Sequence, residues 1–343
     1  MAHPRRWIRS RKLYEVSFHT KEGLPLVPTA YMTAIVKSVM ARAQFLYPVE
    51  INKYLWMLNH PHMLLRPYDA QDFVRFLGYT MKEINESTKR LLGIKRQSLW
   101  IRRPFIAEIG NIEYAKKRIA YLYNNPTKAG LENSIDRYPG LNTWEHEIWE
   151  DETWQNESQT IQTLDHNVIE KVPYVTRTKI HRLPCNSMNR HQDRCFTEAM
   201  IERTEEEHEL IIKPNGWIEP FLPDASSEDI QEASDDVLHR VRRNEEEFKK
   251  ERLSKGYKVL GAQRLMRQSI KKTYPSDHLT SHHLCYMTDR NEDRLEWVQL
   301  FKEFCRACHA AYEAWKIGNY RVEWPPGSFR PAMPPTASHY VFE

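Results

Sequence analysis

Residues 54–67 read Tyr54-Leu-Trp-Met-Leu-Asn-His60-Pro61-His62-Met-Leu-Leu-Arg-Pro67. The aromatic and aliphatic content on either side of His60-Pro61-His62 suits extended chain, in which residues two apart project to the same side. Both imidazoles then converge on one point, and two neutral imidazoles that close make a clamp for a metal ion. The plainer reading is a pair of surface histidines at a strand end. Proline has no N–H and sits poorly inside a paired strand, so the ladder is expected to break or bulge at Pro61.

Outward from this stretch the pattern stays regular. Residues 13–20, LYEVSFHT, read as a strand ended by the turn Lys21–Pro25. Met32, Ile35, Val36, Val39, Met40, Ala43 and Leu46 fall at helical spacing from Thr29 until Pro48 stops them. Residues 50–60 and 62–66 read as two extended runs. A second helix spans Asp69 to Leu92 with Gly93 as its stop. An extended piece, Ser98 to Ile109, precedes a third helix from Asn111 to Pro126. The order strand, helix, strand, strand, helix, strand, helix predicts an α+β fold, a ferredoxin-like antiparallel sheet with helices on one face. On the third helix Tyr121 and Asn125 are four residues apart and share a face, which Tyr114 extends. Helical tyrosines of this kind ordinarily bury the ring and leave the hydroxyl at the rim.

Charge divides the chain. Residues 1–144 hold 23 Lys and Arg against 11 Asp and Glu, whereas residues 145–343 hold 27 against 35. A basic half points to a polyanionic partner, most simply nucleic acid. No apolar run of about eighteen residues is present, so no membrane span is expected. No apolar segment follows the basic N-terminus, so no secretory signal is read and a cytoplasmic, nucleoid-associated protein is expected. Five cysteines, an odd number, all in the second half, read as free thiols.

Several motifs in order then resemble one family. They are Asn59-His60-Pro61-His62-Met63-Leu64-Leu65, Leu99-Trp100 with Arg102-Arg103-Pro104-Phe105, Tyr121-Leu-Tyr-Asn-Asn125-Pro126-Thr-Lys128-Ala-Gly130-Leu131, and Tyr138-Pro139-Gly140. Together they resemble the HUH single-strand transposases with one catalytic tyrosine, above all the REP-associated tyrosine transposases, over roughly residues 10–145. The family usually has a bulky apolar residue where this chain has Pro61. The resemblance implies that His60 and His62 hold Mg²⁺ or Mn²⁺, with Asn125 as third ligand, and that Tyr121 attacks a phosphodiester to give a 5′-phosphotyrosine. It implies single-stranded or hairpin DNA as partner and admits a homodimer.

For DNA contacts the residues suggest two clusters of cations around an indole. One is Arg5, Arg6, Trp7, Arg9, Arg11 and Lys12; the other is Lys95, Arg96, Trp100, Arg102 and Arg103. Lys116, Lys117 and Arg118 precede the tyrosine and are candidates to guide the strand. The plainer alternatives are solvated loops, a solvated helix face and a buried Trp100.

The second half is less legible. Residues 1–145 are expected to form the DNA-processing domain, 146–225 an acidic connector, and 226–343 a mainly helical domain that binds DNA or a partner. His181, Cys185, His191 and Cys195 are spaced so that they could bind zinc, though unlike common fingers. A helix opens at Ser226 and runs toward Gly256, and Leu260 to Ile270 forms another. The pair reads as a generic hairpin or as a helix-turn-helix with Arg264, Arg267, Lys271 and Lys272 on DNA. A last helix spans Glu292 to Ile317, and within it Cys305-Arg-Ala-Cys308-His309 spells a haem-attachment motif but reads as core cysteines. The tail Trp324–Pro331 resembles an extension of the same transposases. The leading expectation is thus a metal-dependent DNA strand transferase. The alternative is a domesticated DNA-binding or regulatory protein that keeps the fold without the chemistry, and a rolling-circle or conjugation nickase is a third.

Overall fold

The computed structural model describes residues 6–21, 26, 28–95, 98–101, 103–146, 163–185, 187–270 and 285–331. The first half runs β1 (Tyr14–Ser17), α1 (Ala30–Leu46), β2 (Val49–Trp56), β3 (Pro61–Pro67), α2 (Ala70–Leu92), β4 (Phe105–Ile109) and α3 (Ile112–Lys128). Asp69 caps α2 by accepting from the N–H groups of Gln71 and Asp72, and Gly93 ends it in the left-handed conformation. The strands lie side by side in the order β2-β3-β1-β4, all antiparallel, which is the ferredoxin-like arrangement.

That sheet is larger than the first half alone supplies. The chain continues through β5 (Val168–Pro173), α4 (Arg190–Ile201), β6 (Glu207–Ile212), α5 (Ser227–Ser254), α6 (Ala262–Met266), β7 (Tyr286–Met287) and α7 (Asn291–Lys316). β6 joins β2 in parallel and carries β5, while β7 joins β4 in parallel, giving the order β5-β6-β2-β3-β1-β4-β7. Residues 146–225, expected as a connector, therefore contribute two strands to the common sheet. The expected helices on one face are α1 and α2, which bury Val16, Trp56, Met63 and Leu65 beneath them. The other face is covered too: α3 and α5 close over Leu13, Leu55 and Leu64. All four residues of β1 are buried, so its alternation separates two cores rather than core from solvent.

Three further expectations change. Pro61 does not break the ladder, because it is the first residue of β3 and the Trp56 N–H opposite it donates to Leu141 O instead. The bulge falls at Asn52, where the β2–β3 register shifts, and the Asn52 amide donates to Glu50 Oε1 and Lys213 O. The helix after α5 is one short turn whose Leu265 is fully buried, with Arg264 and Arg267 exposed; Lys271 and Lys272 lie outside the described residues. A packed five-residue helix is unlike a groove-reading recognition helix. In α7 Cys308 is buried and Cys305 half-buried, as core cysteines should be. No helix among the described residues is long and apolar enough to cross a membrane.

Candidate active site

His62 is the second residue of β3, paired to Leu55 on one side and Ser17 on the other. His60 ends the tight β2–β3 connection, which the Met57 N–H closes by donating to His60 O at 2.8 Å. Despite the proline between them, the rings meet, with His60 Nε2 and His62 Nε2 3.1 Å apart. His60 Nδ1 lies 2.6 Å from Asn59 Oδ1, and the His60 ring is stacked on that of His19. His62 Nδ1 is closed off from solvent and lies 3.5 Å from Glu15 Oε1.

Glu15 is buried on β1, on the same sheet face as His62. Arg118 of α3 grips both its oxygens, with Nε donating to Oε2 at 2.6 Å. Burial alone would raise this carboxyl, but the contacts with His62 and Arg118 outweigh it and hold it down at about 2. The same guanidinium lies 4.3 Å from the centre of the Tyr121 ring, with Lys128 Nζ at 5.2 Å. The Tyr121 ring meets His62 edge-on, centroids 5.7 Å apart.

Asn125 has a local task that accounts for its position. Proline at 126 removes the N–H that would bond Leu122 O, yet α3 continues to Lys128. The Asn125 side-chain amide donates to Leu122 O at 3.3 Å and to Tyr121 O at 2.9 Å, covering the freed carbonyl. Its Oδ1 is left as the atom that could face a cation.

Two imidazole nitrogens 3.1 Å apart match adjacent ligands at roughly a right angle about a cation with bonds of about 2.1 Å. Asn59 and Glu15 offer oxygens to the two Nδ1 atoms, which suits protons there and bare Nε2 lone pairs facing one another. Among the described residues no group of three or more His, Cys, Asp or Glu side chains is arranged around a metal position. The suggested zinc set does not assemble: the His181 ring meets Arg203, Cys185 Sγ donates to Ser187 O, and only Cys195 and His191 approach each other, on exposed turns of α4.

No family model matches the chain. No curated protein matches it either. Among solved structures, one described as a REP-associated tyrosine transposase bound to a REP hairpin is 18% identical, covering 43% of this chain and 85% of that one, at a TM-score of 0.38. So slight a likeness carries no weight for the site, whose case rests on its own geometry.

The expected DNA contacts fare unevenly. Trp7 is stacked on Phe304 at 4.9 Å within the aromatic cluster of α7, and Arg9 is paired with Glu108. Trp100 donates its indole N–H to Met81 O at 2.7 Å and packs edge-on against Phe18; both indoles are half-buried. Lys116 is bound to Glu113 and Asp236, and the half-exposed Lys117 to Asp289. Arg118 belongs to the site itself. Arg6 is half-buried and reaches Pro104 O, Lys12 is half-buried, and Arg11, Lys95 and Arg103 are exposed. Arg5, Arg96 and Arg102 lie outside the described residues.

Sequence reasoning missed Glu15, His19, Asn59 and Lys128. A signal existed for two of them: in LYEVSFHT the polar residues Glu15, Ser17 and His19 alternate along one face of an otherwise apolar strand. Two cavities lie away from these residues. One of about 500 Å³ is lined by Thr29, Lys37, Glu170 and Asp193, and one of about 260 Å³ by Phe304, Tyr312, Trp324 and Phe329.

Proposed function

We propose that this protein nicks and rejoins single-stranded DNA through a 5′-phosphotyrosine on Tyr121, beside a Mg²⁺ or Mn²⁺ ion held by His60 and His62. The observation that carries the reading is the convergence of His60 Nε2 and His62 Nε2 at 3.1 Å with the Tyr121 ring edge-on to His62. A cation bound there supplies Lewis acidity to the scissile phosphate. The Tyr121 oxygen attacks phosphorus and loses its phenolic proton, and the bond from phosphorus to the 3′-oxygen breaks, that oxygen leaving as a 3′-hydroxyl. Arg118 and Lys128 hold the ring and place positive charge where the phosphate would arrive. Attack by a different 3′-hydroxyl on the phosphotyrosine joins strands and restores the phenol, with no external energy source.

The motif resemblance supports single-stranded or hairpin DNA as substrate. The non-catalytic alternative drew on Pro61 and on the large acidic C-terminal half, and the convergence of the rings past Pro61 weakens the first of these. Incubation with Mn²⁺ and labelled single-stranded oligonucleotides tests the reading. A covalent adduct that survives denaturation and is lost in Tyr121→Phe and in His62→Ala is expected. An adduct undiminished in Tyr121→Phe would exclude the tyrosine, and hairpin binding without any adduct would favour the alternative.

A further inference from the structure

We propose that Glu15, gripped by Arg118, is the positioning residue that fixes His62 as its Nδ1–H tautomer and so keeps the Nε2 lone pair aimed at the cation. This rests on the cation-binding reading of the histidine pair. β1 sets the geometry: Ser17 is the register partner of His62, and Glu15, two residues earlier, points to the same face. A carboxylate buried there needs compensation, and the Arg118 fork supplies it.

The fork does not exhaust Glu15. Each carboxylate oxygen accepts more than one hydrogen bond, so Oε1 can serve Arg118 and a second donor. His62 Nδ1 is the group that faces it, buried, at 3.5 Å and with no closer partner. A bare nitrogen lone pair against a carboxylate is repulsive, whereas an N–H is attracted, so the proton belongs on Nδ1 and leaves Nε2 bare. At His60 the neighbour is Asn59, whose amide can turn to offer either oxygen or N–H. An ionised carboxylate only accepts, so the tautomer of His62 is set more firmly than that of His60. Arg118 also lies over the Tyr121 ring, so one guanidinium orients both the carboxylate behind the ligand and the nucleophile.

Glu15→Gln in the full chain tests this, because a glutamine can turn its N–H toward Nδ1 and permit the other tautomer. Imidazole ¹⁵N spectra at pH 8 without metal, with His62 assigned by the loss of its signals in His62→Gln, should show Nδ1–H in the wild type and a shift toward Nε2–H in Glu15→Gln. Mn²⁺ affinity, read by electron paramagnetic resonance, should fall ten- to a hundredfold with unchanged circular dichroism. An Nε2–H His62 in the wild type, or a tautomer unmoved in Glu15→Gln, overturns the proposal. A tautomer shift in Glu15→Gln alongside a wild type that binds no Mn²⁺ keeps the role of Glu15 and refutes the cation reading instead. If Glu15→Gln fails to fold, the paired Glu15→Met, Arg118→Met variant removes the carboxylate together with the charge that compensates it, and a His62 that stays Nδ1–H there also overturns the proposal.

Discussion

Pro61 is tolerated because it opens a strand at a position where its missing N–H has no ladder partner to lose. Pro61→Val should therefore change stability by no more than about 1 kcal/mol in urea unfolding; a much larger loss would mean the proline itself shapes the turn. Glu15 makes a stronger demand. Its folded pKa of about 2 lies below the usual 4.5, so its contribution is present above pH 4.5 and is lost as pH falls toward 2. That contribution is up to about 3 kcal/mol, and the stability gap between wild type and Glu15→Gln should narrow over that window. Asn125 separates two roles. Asn125→Asp loses the donor that covers Leu122 O and should cost about 1–2 kcal/mol, while its carboxylate should retain or strengthen Mn²⁺ binding if position 125 is a ligand.

At the scale of elements, α3 matters most, because it carries the tyrosine and is held along its length by the second half of the chain. Its cap residue Asn111 donates to Thr288 Oγ1, Asp289 and Asp293. Its middle pairs with α5 through Lys116 with Asp236 and Glu113 with Arg240, and Asn124 donates to Val241 O. The acidic second half thus neutralises cations that composition alone assigns to DNA. Trp100 is likewise tied to the rest of the fold, packed half-buried against the core behind α2. Trp100→Ala should cost about 3 kcal/mol in thermal unfolding and leave DNA affinity of the folded fraction intact; weakened binding at unchanged Tm would return the indole to the DNA surface.

Both halves of the chain contribute to one sheet, and among the described residues His60, His62 and Tyr121 come together within one chain. The second core draws Trp217, Ile218, Ile230, Val237 and Val241 from beyond residue 146, and β6 covers the edge of β2. A chain ending at residue 146 would expose that apolar surface and an unpaired strand edge. It should aggregate or unfold without cooperativity when followed by circular dichroism, whereas soluble, cooperatively folded material would restore the two-domain division expected from composition.

By itself the sequence determined the local elements and singled out the residues proposed to carry the chemistry. Helical spacing located α1, α2 and α3, a capping serine opened α5, and His60, His62 and Tyr121 were legible as reactive types in a recognisable order. These are short-range properties, written in residues a few positions apart. Only the tertiary structure decided what lies beneath them: that Pro61 falls at a strand start, that Glu15 stands behind His62, and that Arg118 joins it to Tyr121. It also decided that basic residues of α3 meet acids more than a hundred residues away. Strand pairing and charge pairing depend on which distant segments share the sheet, and no local pattern encodes that.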